Sequence, residues 1–181
     1  MFLKTNRKDE WFVMRDLKRA NAAQPAYKLF EGMNIKVFTP MTWRLGTKNG
    51  KRIRMEVPFI RDLLFVYDNR ENLDSIVDKI PTLQYRWLHN TWRQPMTVPK
   101  AEMERFILAV SASETPKYYL PEEITSAMCG RKIRIVGGPL DGYEGTLLTT
   151  RGSRVKRLLV ELPNLLSVGV EVSPEYIQFV G

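Results

Sequence analysis

The run GRKIRIVGGPLDGYEGTLL, Gly130 to Leu148, constrains the fold of this chain more than any other stretch, because it alternates like a strand and then breaks on glycines and a proline. Ile133 and Ile135 fall on one face of an extended segment and Lys132 and Arg134 on the other, the pattern of a half-buried strand. Gly137, Gly138 and Pro139 stop it, since glycine opens backbone angles closed to residues with a Cβ, and proline fixes φ and removes a donor. Gly142 and Gly145 allow close backbone approach. The segment reads as strand, forced turn, strand. With Ile133 to Val136, the stretches Thr146 to Thr150, Leu158 to Leu162, Val168 to Val172 and Tyr176 to Val180 give five short strand candidates. A small five-stranded β-barrel over residues 127–181 is the expected closure, because it removes exposed sheet edges.

Upstream the pattern is mixed α+β. Trp11 to Arg15 (WFVMR) reads as a first strand. A helix follows, with Asn21 as a candidate cap, Pro25 tolerable only near its first turn, and Ala26, Leu29, Phe30 and Met33 on one face. Ile35 to Phe38 is a second strand, Arg44 to Arg54 a basic hairpin tip or mobile loop, and Phe59 to Tyr67 a near-continuous apolar strand. Leu73, Ile76, Val77 and Ile80 recur at helical spacing, so residues 71–80 read as an amphipathic helix ending at Pro81. Residues 83–89 are expected as a strand, and Met103, Phe106, Ile107 and Val110 mark another helix after Pro99. From Ser111 to Ser126 the periodicity disappears and two prolines sit among polar residues. The expected division is therefore a domain over 1–110, a linker over 111–126 and a second domain over 127–181.

Composition narrows the function. Lys and Arg total 28 against 20 Asp and Glu, a formal charge of +8, which favours a polyanionic partner, although a solvated basic surface accounts for it equally. Cys129 is the only cysteine and His89 the only histidine, so one chain assembles neither a disulfide framework nor a Cys/His metal cluster, and both read as packing residues. No nucleophile–base pair stands out, and GGPLDG fits neither the dinucleotide fingerprint nor the P-loop spacing. No enzyme activity, cofactor or metal is expected. No apolar run approaches the ~20 residues of a bilayer span, and MFLKTNRKDE lacks a secretory apolar core. A cytoplasmic setting away from membranes is expected.

The spacing of Gly130, Ile133, Ile135, Gly138, Pro139, Gly142 and Gly145 resembles a KOW motif, found in small barrels of transcription and ribosomal proteins. WFVMR at Trp11, PFIRDLLFVY at Pro58 to Tyr67, IPTLQYRWL at Ile80 to Leu88, and QPMTVP at Gln94 to Pro99 before a helix with Glu102 and Glu104 are, in that order, similar to segments of the NusG family. The resemblance covers nearly the whole chain. Where that family commonly carries Pro-Gly-Tyr this chain has Arg61, Asp62 and Leu63, so the turn before the central strand is altered. The pattern is closer to specialised RfaH-like and UpxY capsule-operon paralogues than to the general factor.

The resemblance implies an NGN-type antiparallel sheet with flanking helices, a linker and an SH3-like KOW barrel. It also implies a monomeric transcription elongation or antitermination factor that docks on the clamp helices of RNA polymerase and suppresses pausing or termination. Trp11, Phe59, Ile60 and Leu63 match the docking positions, and plain core packing is the competing reading for them. Arg44, Lys48, Lys51, Arg52 and Arg54, together with Arg15, Lys18 and Arg19, would face DNA or RNA, or form a solvated surface. Leu165 and Leu166 would meet a small-subunit ribosomal protein or a termination factor through the KOW domain, or fill the barrel core. The alternative function is a KOW-type RNA-binding or ribosome-associated protein, whose basic turn at Arg151, Arg154, Lys156 and Arg157 would grip RNA.

Overall fold

The computed structural model describes residues 8–18 and 23–181. Few helices and antiparallel sheets make a mixed α+β chain, divided into two compact units, Met1–Lys100 and Ala101–Gly181.

The first unit runs β1 (Glu10–Asp16), α1 (Ala26–Gly32), β2 (Lys36–Phe38), β3 (Met41–Lys48), β4 (Lys51–Pro58), β5 (Leu63–Asp68), α2 (Arg70–Val77), β6 (Leu83–Tyr85) and β7 (Thr97–Val98). Its main sheet has the order β2-β5-β1-β6, with β7 also paired to β1. Alternation selects the core face. Phe12 and Met14 of β1, Leu64 and Val66 of β5, and Leu83 and Tyr85 of β6 pack with Phe30 of α1 and Leu73 of α2. The Asp16 carboxylate ties down the start of α1 by accepting the Ala26 N–H at 2.7 Å, whereas the expected cap, Asn21, lies outside the described residues. Asn69 caps α2, its Oδ1 accepting the Asn72 N–H at 3.0 Å. The strand expected over 83–89 stops at Tyr85. Beyond it the chain turns back on itself, with Met96 N–H donating to Arg86 O at 2.7 Å and Leu88 N–H to Gln94 O at 2.9 Å.

The basic stretch between Arg44 and Arg54 is an ordered ladder. β3 and β4 pair from Met41 with Pro58 to Lys48 with Lys51. The two residues between them, Asn49 and Gly50, have φ of 51° and 74°, the doubly positive backbone of a type I′ hairpin turn.

The second unit contains all but the first residue of α3 (Lys100–Ser111), then β8 (Lys117–Tyr119), β9 (Cys129–Ile135), β10 (Glu144–Leu148), β11 (Arg157–Leu162), β12 (Leu166–Glu171) and β13 (Ile177–Phe179). The sequence had α3 closing the first domain. In the structure Tyr143 donates its hydroxyl hydrogen bond to Arg105 O at 2.8 Å, and the Arg105 guanidinium lies 4.9 Å over the Tyr143 ring. The segment expected as linker also carries β8, which pairs with β12 and buries Tyr118 and Tyr119.

Each of the five strand candidates downstream of residue 127 is a strand, but they do not close into a barrel. The sheet has six strands in the order β13-β9-β10-β11-β12-β8. β8 takes the free edge of β12, and the three-residue β13 pairs with β9, leaving no pairing between the two end strands among the described residues. The glycine-rich turn has a specific role. Gly137 and Gly138 have φ of 98° and 71°, and a Cβ on either would come within 3.1 Å of the Tyr176 ring, which lies against the turn.

Candidate functional site

The hairpin and the turn into β5 enclose an open, mainly apolar hollow of about 330 Å³ in the first unit. Leu63 and Leu64 of β5, Met55 and Val57 of β4, Leu45 of β3 and Tyr27 of α1 supply its lining. Gly46 shapes it, because the Met55 side chain lies across the space a Cβ at position 46 would fill. Burial pushes the Tyr27 phenol above its ordinary pKa, and the Glu31 and Glu56 carboxylates push it the same way. Tyr27 therefore remains a neutral hydrogen-bonding group at physiological pH. Thr39 also lines the hollow, and its hydroxyl is buried without a hydrogen-bond partner among the described residues. An occupant with a polar atom there would satisfy it.

The charges at the rim are unequal in freedom. Asp16 accepts from the backbone N–H groups of Lys18 and Ala26 at 3.0 and 2.7 Å. Asp62 is held by Arg15, whose Nε and Nη2 both lie 2.8 Å from Oδ2. Arg44 and Arg61 have no carboxylate partner among the described residues, so the unspent charge at the rim is positive.

These positions revise several sequence expectations. Trp11 is completely buried, its ring 5.3 Å from that of Tyr67 and beneath the Lys36 ammonium at 5.3 Å, so it is a core residue and not a docking contact. Leu63 is buried as well and lines the hollow. Phe59 and Ile60 are half-buried in the turn before β5, where Phe59 N–H donates to Pro40 O at 2.8 Å, and neither lines the hollow. Hydrophobic burial competed with docking and won at the strand positions.

Among the cationic candidates, Arg15 is engaged by Asp62, Lys18 donates through Nζ to Gln24 O at 3.0 Å, and Arg19 lies outside the described residues. Arg44, Lys48, Lys51, Arg52 and Arg54 are all exposed. The hairpin register divides them: Arg44, Lys48 and Lys51 share one face, while Arg52 and Arg54 lie on the other with Trp43 and Leu45. The Arg54 guanidinium sits 4.6 Å above the exposed Trp43 ring. Trp43, Leu45 and Met55 went unremarked in the sequence. The Asn49-Gly50 pair, which fixes the register, was the signal that could have placed them.

In the second unit Leu165 and Leu166 are buried, which overturns their assignment as partner-facing residues. Asn164, at φ 61°, makes the tight turn between β11 and β12, and Leu165 N–H bonds back to Leu162 O at 3.1 Å. Arg157, one of the candidate RNA-gripping residues, is instead paired with Glu171 at 3.1 Å. Among the described residues no cluster of His, Cys, Asp or Glu could hold a metal, and no helix is long and apolar enough to cross a membrane.

No protein-family model and no curated protein matches the chain. Among solved structures it is similar to a NusG of Thermotoga maritima, described as "Domain interaction in Thermotoga maritima NusG", with 14% sequence identity over 96% of this chain and 98% of that chain and a TM-score of 0.47.

Proposed function

We propose that this chain is a NusG-like transcription elongation or antitermination factor that acts by binding, without catalytic turnover or cofactor. Its first unit, in the role of an NGN domain, docks through the hollow onto the clamp helices of RNA polymerase, and its β3–β4 hairpin lies against nucleic acid in the elongation complex. The observation that carries the reading is the open apolar hollow beside an exposed, unpaired basic hairpin, in the chain segment where PFIRDLL resembles the family's central strand. An apolar knob beside a carboxylate fits it: Leu63, Met55 and Val57 receive the knob and Arg61 the charge, which leaves Arg44 to the hairpin's nucleic-acid contact. The second unit, in the role of a KOW domain, offers a partner surface around Phe179, which is exposed with the Arg131 guanidinium 4.3 Å over its ring, in place of the buried leucines. The work would be done in the cytoplasm.

Co-purification tests this reading. Tagged full-length protein should retain RNA polymerase, and Met55→Asp should lose it while melting at the native temperature. Retention by the variant, or no polymerase with the native chain, refutes the docking role. The same Arg131–Phe179 pair favours a second reading, an RNA-binding or ribosome-associated protein. Under that reading Arg131→Glu would abolish RNA binding and Met55→Asp would change nothing.

A further inference from the structure

The hairpin-like tip between β6 and β7 is absorbed by neither reading. Trp87 bridges Pro95 across its base, Asn90 and Arg93 turn its end with φ of 62° and 46°, and Trp92 is 87% exposed. The Trp92 indole brings little packing gain, because solvent takes the area that makes tryptophan stabilising, whereas Trp87 is only half-exposed. Each is paired with a guanidinium. Arg93 lies 5.4 Å over the Trp92 ring, and Arg70 of α2 lies 5.9 Å over the half-exposed Trp87 ring and 5.1 Å over Tyr85.

The Arg70 end is prebuilt. Arg70 Nε donates to Asp74 Oδ1 at 3.0 Å, the Tyr85 hydroxyl donates to the same oxygen at 2.8 Å, and the Tyr85 and Trp87 rings are 5.5 Å apart. Charge in the surrounding sequence has one sign. No Asp or Glu occurs between Asp78 and Glu102, whereas Lys79, Arg86, Arg93 and Lys100 do.

We propose that the Arg86–Arg93 tip is a stacking site for single-stranded nucleic acid, with Trp92 as the open platform for a base and Arg86 and Arg93 meeting the flanking phosphates. An unpaired base supplies the π face and its phosphodiester the negative charge, the two features the tip presents together. A duplex hides its base faces in its own stack. An apolar protein surface would have to desolvate two guanidiniums without a counter-charge. The site is separate from the polymerase-facing hollow and does not depend on that assignment.

The test uses the full-length protein and free oligonucleotides, so its outcome is independent of polymerase binding. Fluorescence anisotropy would follow binding of labelled oligothymidylate and oligouridylate of about twelve nucleotides, within the usual site size of such binders, and of a mixed-sequence duplex. Trp92→Ala should weaken single-strand binding about 5- to 150-fold, the loss that accompanies removal of one stacked base. It should leave the duplex unchanged, and Trp92→Phe should restore most of the affinity. A response of only one single strand identifies the source as DNA or RNA. The proposal is overturned if the native chain binds neither single strand, if Trp92→Ala binds both like the native chain, or if the duplex loses affinity in parallel.

Discussion

Replacing Arg44, Lys48 and Lys51 together by glutamine removes three charges that the hairpin register places on one face, with no ion-pair partner among the described residues. Arg44 and Lys48 are four residues apart on one strand, about 14 Å, or roughly four base-pair steps of a duplex. These side chains can therefore meet separate phosphates. Three neutralised phosphates on B-DNA give a log–log salt slope of about 2.7, so the affinity carried by this face falls about 40-fold between 50 and 200 mM salt. The triple variant should lose that share of the salt dependence. Arg52→Gln with Arg54→Gln should change the slope much less, because those residues point to the opposite face and Arg54 is occupied over Trp43. Arg15→Gln should leave it unchanged, since Arg15 is held by Asp62. Anisotropy titrations of a mixed-sequence duplex against full-length protein at several salt concentrations read these slopes directly. An unaltered slope in the triple variant, or a larger effect from the double variant, would refute the assignment of phosphate contacts to the three-charge face.

Further outcomes follow from the packing. A Cβ at Gly145 would lie 2.7 Å from the Leu159 carbonyl oxygen on the neighbouring strand. Gly145→Ala should therefore destabilise the second unit by about 1–3 kcal/mol in urea denaturation, and native stability would contradict this close approach. Gly46→Ala should displace the flexible Met55 side chain and weaken polymerase binding while shifting the melting temperature little. The Tyr85 phenol is pushed far above its ordinary value of 10.0, first by burial and then by its hydrogen bond to Asp74. Its folded-state pKa exceeds the unfolded one, so its contribution is complete below pH 10 and lost as the pH rises further. Alkaline unfolding followed for the native chain and Tyr85→Phe should show a shallower loss of stability above pH 10 in the variant, and parallel curves would contradict this.

Period and punctuation made most elements legible in the sequence. The 3.6-residue spacing of Leu73, Ile76 and Val77 located α2, which ends at Val77 and leaves Ile80 of the expected 71–80 helix outside it, and the glycine turn located β9 and β10. What failed was the reading of tertiary context. Lys117–Tyr119 carries no periodicity long enough to distinguish a strand from a linker, and its pairing depends on the remote edge of β12. Trp11 and Leu63 matched docking positions by sequence, yet both are buried on the sheet face opposite Phe12 and Met14, because β1 and β5 are central strands covered on both faces. The hollow depends on Gly46, Met55 and Tyr27, which come together only through the hairpin and the helix. Of the two glycines expected to allow close approach, Gly145 does so, whereas Gly142 has open space around it and is required by its φ of 80°. At Gly145 the constraint is the carbonyl of β11, since its φ is not among the positive ones.

The most direct test of the docking account is the equilibrium affinity of purified RNA polymerase for the full-length protein and for its Met55→Asp variant. Met55 is partly exposed at the hollow, so the aspartate changes the surface without opening the core. The account predicts saturable binding of the native chain and at least about a tenfold loss in the variant, from the missing apolar contact and the desolvated carboxylate. Equal affinities, or no binding by the native chain, would contradict it.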